Sequence, residues 1–177
     1  VSGNGSASLT ASGSMVDLNA ALDGLTYSPN LDFNGSSTLT IVTSDLGNSG
    51  IGGALSDTDN VAITVNPVND GPLNSVPGAQ SVNEESNLVF SAGGGNAISV
   101  SDVDVGTNDL QVALSTTNAV LTLSGTTGLT VSGSGSASLT ASGSLANINT
   151  GLEGLTYSPN VNFNGPSSLT IVTSDLG

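Results

Sequence analysis

Two carboxylates and a carboxamide fall at short spacing within the stretch Ser101-Asp102-Val103-Asp104-Val105-Gly106-Thr107-Asn108. Asp102 and Asp104 are two residues apart on what should be a strand end, so both side chains leave the backbone on the same side. After Gly106 the chain can turn and bring the side-chain carbonyl oxygen of Asn108 round to them. Calcium takes roughly six to eight oxygens at about 2.3 to 2.6 Å from carboxylates, amides and main-chain carbonyls, and a strand end plus a loop supplies that chemistry better than it supplies Mg²⁺ or a transition metal. A solvated acidic turn is the plainer reading of the same residues. A second polar stretch, Asn66-Pro67-Val68-Asn69-Asp70-Gly71-Pro72, lies earlier in the chain, where a run of alternating Val and Ile stops.

The charge balance makes such clusters informative. The chain carries 14 acidic residues and no Lys, Arg or His. No carboxylate can therefore be neutralised by a side-chain cation of its own chain. Two carboxylates held about 4 Å apart repel by roughly 4 kcal/mol at an effective dielectric near 20, so acids that converge must splay apart or take up metal.

The same composition excludes several functions. Phosphate binding rests on Lys and Arg, so nucleic acid is not expected as a partner, and an anionic membrane surface would repel the chain. No apolar run approaches the roughly 20 residues of a membrane span, and the first residues lack the basic and apolar regions of a signal peptide, so a secretion signal would lie outside this sequence. Cysteine is absent, which rules out disulfides. Lys-Asn isopeptide bonds are ruled out too. With three Phe, two Tyr and no Trp, the core must be built from Val, Leu, Ile and Ala, leaving bound ions as the available staple.

The elements that would position these groups come in two copies. Residues 1 to 47 recur at 131 to 177, an offset of 130 residues with 35 of 47 positions identical. Fixed-period identity marks an array, and this period is that of a whole β-sandwich rather than of a solenoid repeat. With a boundary at Asp70-Gly71, residues 1–70 form the C-terminal part of one repeat. Residues 71–177 form the N-terminal part of the next, without a counterpart of the tail from Asn48 to Asp70.

Within the first copy, Ala7–Thr10 and Leu25–Tyr27 read as short strands. Ser14 to Gly24 reads as a two-turn helix, with Ser14 as N-cap, Asp17 as a capping residue, and Met15, Leu18 and Leu22 on one face that must dock on the sandwich. The second copy keeps Ser144, Leu145, Ile148, Leu152 and Gly154 but carries Asn147 in place of Asp17. Phe33-Asn34-Gly35 reads as a turn whose ring folds into the core. Thr38–Ser44 and Asn60–Asn66 alternate as strands around a Gly47–Gly53 loop, with Asp57 and Asp59 in a turn that either binds an ion or is solvated. Strands at Asn87–Ser91, Ala97–Ser101, Leu110–Ser115, Ala119–Ser124 and Leu129–Ser132 complete an antiparallel sandwich interrupted by the helix. Asp23, Asp109 and Glu153 read as surface charge.

In order along the chain, these motifs resemble a known family. Val100 to Asn108 looks like the cadherin-repeat segment in which Asp-x-Asp, a Gly and an Asn follow a strand, and Val68-Asn69-Asp70-Gly71-Pro72 looks like the Asn-Asp-x-Pro end of the cadherin inter-domain linker. Leu39 to Gly47 resembles the late strand that closes in Asp-x-Gly. Leu31-Asp32 stands where cadherins carry Leu-Asp-Arg-Glu, but Phe33 and Asn34 follow it and the second copy has Val161-Asn162. The Gly- and Thr-rich composition and near-identical copies are most similar to cadherin-like repeats of giant bacterial surface adhesins.

The resemblance implies an all-β fold of tandem antiparallel β-sandwiches, cadherin- or immunoglobulin-like, with one short helix per repeat. It also implies that Asn69 and Asp70 share Ca²⁺ with Asp102, Asp104, Asn108 and Asp175. Glu84 and Glu85 would face the following boundary and Asp45 the preceding one. The expected function is a calcium-rigidified spacer, extracellular and at the cell surface, in an adhesin or surface fibre. Its partners would be neighbouring repeats of the same chain and like chains in a fibre, with no direct membrane contact. The alternative is a repeat that itself binds a glycan or a like repeat on another cell. An enzyme is not expected: without His, Cys or Lys only a carboxylate pair remains, and a raised-pKa acid needs an apolar pocket. Residues 48 to 70 of a neighbour could also fill the gap after Gly177 head to tail, although a window out of a longer array is the simpler account.

Overall fold

The computed structural model describes residues 1–47 and 50–177. It is mostly β, with antiparallel pairing throughout the described sheets. The chain divides into two units, Val1–Pro67 and Val68–Gly177.

The first unit contains α1 (Met15–Leu22), β1 (Gly35–Ser44) and β2 (Ser56–Val65). Its two strands form an antiparallel ladder in which Leu39 faces Val61 and Ser37 faces Ile63. Asp57 and Asp59 lie inside β2, opposite Thr43 and Ile41, rather than in a turn before it. Asn48 and Ser49, in the expected Gly47–Gly53 loop, lie outside the described residues.

The second unit contains β3 (Leu73–Ser75), β4 (Leu88–Phe90), β5 (Ser99–Ser101), β6 (Asp109–Thr116), β7 (Ala119–Thr122), β8 (Thr130–Ser132), β9 (Ser138–Ser144), α2 (Leu145–Leu152), β10 (Leu155–Pro159) and β11 (Leu169–Ser174). The strands make a four-stranded sheet in the order β11-β6-β9-β8, a three-stranded sheet β4-β10-β7 and the pair β3-β5. Alternation builds the core: Leu110, Val112 and Leu114 of β6 are buried while their neighbours are not. They join Leu139 and Ala141 of β9, Leu121 of β7 and Leu155 and Tyr157 of β10 in one apolar cluster.

The two copies fold alike only where the structure is local. Ser14 and Ser144 both cap their helices, accepting from the N–H of Asp17 and Asn147, and Ser14 also donates to the Asp17 carboxylate at 2.7 Å. In α2 the apolar face docks, with Ile148, Gly151 and Leu152 buried, worth about 1.5 to 3 kcal/mol for each large side chain. In α1 no residue is buried, and Met15 and Leu22 stay 79% and 44% exposed. Leu155–Pro159 is a strand because β4 and β7 flank it. Its counterpart, the expected strand Leu25–Tyr27, has no such neighbours in the first unit and is not a strand. The expected strand Ala7–Thr10 is reduced to one bridge between Ser2 and Thr10. Phe33 remains 39% exposed instead of entering a core, since no described residue of the first unit is buried.

Candidate metal centre

Three parts of the second unit bring oxygen ligands to one place. β5 ends at Ser101 and delivers Asp102 and Asp104. The segment 68–72 carries Asn69 and Asp70 toward β3. β11 ends at Ser174 and delivers Asp175. Asp102 folds its own loop: its Oδ1 accepts from the main-chain N–H of Asp104 at 3.1 Å and of Val105 at 2.9 Å. Val105, buried, anchors that turn in the core.

The turn then captures the incoming chain. Asp104 Oδ2 accepts from the main-chain N–H of Asp70 at 2.9 Å, and the Asn69 amide donates to Asp175 Oδ2. The bond from Asn69, followed by one from the Gly177 N–H, holds the Asp175 carboxyl below the usual carboxylate range. Asn69, Asp104, Asn108, Asp109 and Asp175 line a cleft of about 320 Å³. Asn69, Asp70, Asp102, Asp104, Asn108 and Asp175 thus belong to one neighbourhood, but unequally. Asp70 enters it through its main chain, and Asp102 lies behind the cleft wall as the hub of the turn.

One feature of this neighbourhood is chemically unbalanced. Asp102 Oδ2 is buried and accepts no hydrogen bond from any described residue. A buried carboxylate oxygen left without a partner costs at least about 1 to 3 kcal/mol. No side-chain cation exists in the chain to offset it. The donors nearby are all oxygen, from carboxylates, carboxamides and main chain, which is the set a hard divalent cation takes. Among the described residues no three acidic side chains form a ready-made cluster. A calcium ion there would have to draw part of its shell from amide and main-chain oxygens.

The remaining expected ligands lie elsewhere. Glu84 accepts from the Asn164 amide at 3.4 Å, and Glu85 occupies a turn with φ of 63°. Asp45, in the first unit, accepts from the N–H groups of Gly47 and Leu55, both at 2.9 Å, and these bonds lower its pKa. Asp32 and its counterpart Asn162 both sit at φ of 58°, where Asp and Asn are tolerated better than most residues, so the exchange is conformationally neutral.

Two acids read as surface charge have structural work. Asp109 opens β6 and lines the cleft beside Asn108. The available signal was position: it precedes the inward Leu110, so alternation turns it away from the core at the same strand end as Asn108. Glu153 accepts from the N–H of Ala92 with both oxygens at 3.1 Å, holding the turn after β4. Comparison with protein-family models, curated proteins and solved structures gives no match.

Proposed function

We propose that this chain is a calcium-stiffened structural repeat of cadherin-like β-sandwich type, serving as an extracellular spacer in a cell-surface adhesin or fibre. The observation that carries this reading is the buried, unpartnered Oδ2 of Asp102, on the turn whose Asp104 accepts from the Asp70 N–H, in a chain without a single basic side chain. Asn69 and Asp70 are the first polar residues after Pro67, so an ion held by their oxygens and by the Asp102–Asn108 loop would fix the direction in which the chain enters the second unit. Freedom at that joint is then lost only in the ion-bound state, and the ion stabilises the ordered joint by mass action.

Small-angle scattering of the chain tests this reading. The maximum dimension and its spread are expected to change on adding calcium, with a narrower distribution, and to revert with chelator. An identical distance distribution in both conditions would overturn the spacer mechanism.

A further inference from the structure

The segments that meet at the cleft are tied together a second time, one step back along their strands. Thr173 of β11 donates its hydroxyl to Asn74 Oδ1 of β3 at 2.6 Å. Asn74 in turn stands opposite Val100 in the β3-β5 register. Beyond β5, the Asn149 carboxamide of α2 accepts from the Val100 N–H and donates to the Val100 carbonyl. Thr173, Asn74, Val100 and Asn149 therefore form one transverse row across four elements.

That row lies at a fixed distance from the cleft. Thr173 precedes Asp175 by two residues, and Val100 precedes Asp102 by two. At about 3.3 Å per residue, both acids stand roughly 7 Å beyond the row. Asn74 lies on the segment that carries Asn69 and Asp70 into the same neighbourhood. The links in the row are not equivalent. β3 and β5 are held to each other by a main-chain ladder, whereas β11 belongs to a different sheet from β3. How far β11 runs past β3 is thus left to side chains, and the Thr173 hydroxyl and the Asn74 amide supply the bond.

We infer that Thr173 and Asn74 are positioning residues of the candidate ion centre: their bond sets how far β11 advances past β3, and so where the Asp175 carboxylate meets the Asn69 amide. This positioning holds with or without an ion, while its part in ion binding rests on the proposed calcium reading. The bond is not needed to satisfy the core, because Asn74 is exposed and water can take over its freed oxygen. The first unit supplies a contrast: Thr43, the counterpart of Thr173, faces Asp57 across the β1-β2 ladder.

Thr173→Val removes the hydroxyl at nearly constant shape, Thr173→Ser keeps it, and Thr43→Val is the control. NMR hydrogen exchange on the whole chain in chelator reads the Asn69 side-chain amide, which donates to Asp175. The buried Leu121 N–H, bonded to the Ser136 carbonyl at 2.8 Å, reports general loosening of the unit. Thr173→Val is expected to speed exchange at Asn69 at least about fivefold, the factor one ordinary hydrogen bond represents. Leu121 should stay unchanged, and Thr173→Ser and Thr43→Val should behave like the native chain. Calcium calorimetry is expected to show affinity weakened at least about fivefold by Thr173→Val and kept by Thr173→Ser, as for outer residues that orient ligands. Unchanged exchange at Asn69 in Thr173→Val, or equal acceleration at Asn69 and Leu121, would overturn the positioning role. Equal calcium affinity of the native and Thr173→Val chains would overturn its part in ion binding. A native chain that binds no calcium would overturn the ion reading instead, and the exchange result would still decide the bond.

Discussion

Replacing Asn149 with Ala should destabilise the second unit by several kilocalories per mole, although the residue sits in a short helix and carries no charge. Its side chain acts as a missing strand for β5: Oδ1 accepts from the Val100 N–H at 2.8 Å and Nδ2 donates to the Val100 carbonyl at 2.9 Å. Val100 is 4% exposed. Removing the amide thus strands one donor and one acceptor away from water. At about 1 to 3 kcal/mol for each unsatisfied group, the loss is about 2 to 6 kcal/mol. The repeat supplies the control. Asn19, the counterpart in α1, is exposed, so Asn19→Ala should change stability by no more than about 0.5 kcal/mol. Urea denaturation followed by circular dichroism, with hydrogen exchange at the Val100 amide, reads both. Equal, small effects of the two substitutions would refute the bridging role.

Further expectations follow from the same geometry. Gly151→Ala should cost about 1 to 3 kcal/mol in thermal denaturation, because an added Cβ would lie 3.0 Å from Leu129 Cδ1 and 3.1 Å from the Gly125 carbonyl; an unchanged midpoint would refute the close packing, and the first copy carries Ala21 there on a helix with no buried residue. Asp175 and Asp45 both have folded pKa values lowered by hydrogen bonds to their carboxylates. Their contribution to stability is then fully present above the unfolded value near 4 and is lost as pH falls through the lower folded values. Carboxyl NMR titration should find both below that value, and Asn69→Ala should raise Asp175 while leaving Asp45 in place.

What the sequence made legible was the part of the fold that depends on near neighbours. Ser14 and Ser144 cap as their spacing demands. The Ser6 and Ser136 hydroxyls, which no sequence motif had singled out, are also local and alike, each lying 2.7 Å from the carbonyls two residues ahead and three behind. Asp45 and Asp175 each close a turn onto the glycine two residues later. What remained hidden depends on distant partners. Leu25–Tyr27 and Leu155–Tyr157 have the same sequence, yet only the second is a strand, because β4 and β7 flank it. The Asn149 bridge and the Glu153 anchor join residues 49 and 61 positions apart, and no local pattern announces them. Around the cleft, the Asp-x-Asp spacing singled out the turn from Asp102 to Asn108, in which Asp102 accepts from the Asp104 and Val105 N–H groups. That Asp109 joins the cleft, and that Asp70 enters through its main chain, depend on how three segments meet.

Calcium calorimetry of the intact chain and of Asp102→Asn addresses the central claim most directly. Saturable binding is expected for the native chain, weakened by at least about tenfold in the variant, whose neutral amide replaces the unpartnered carboxylate oxygen. Absence of binding at millimolar calcium, or equal binding by Asp102→Asn, would contradict it.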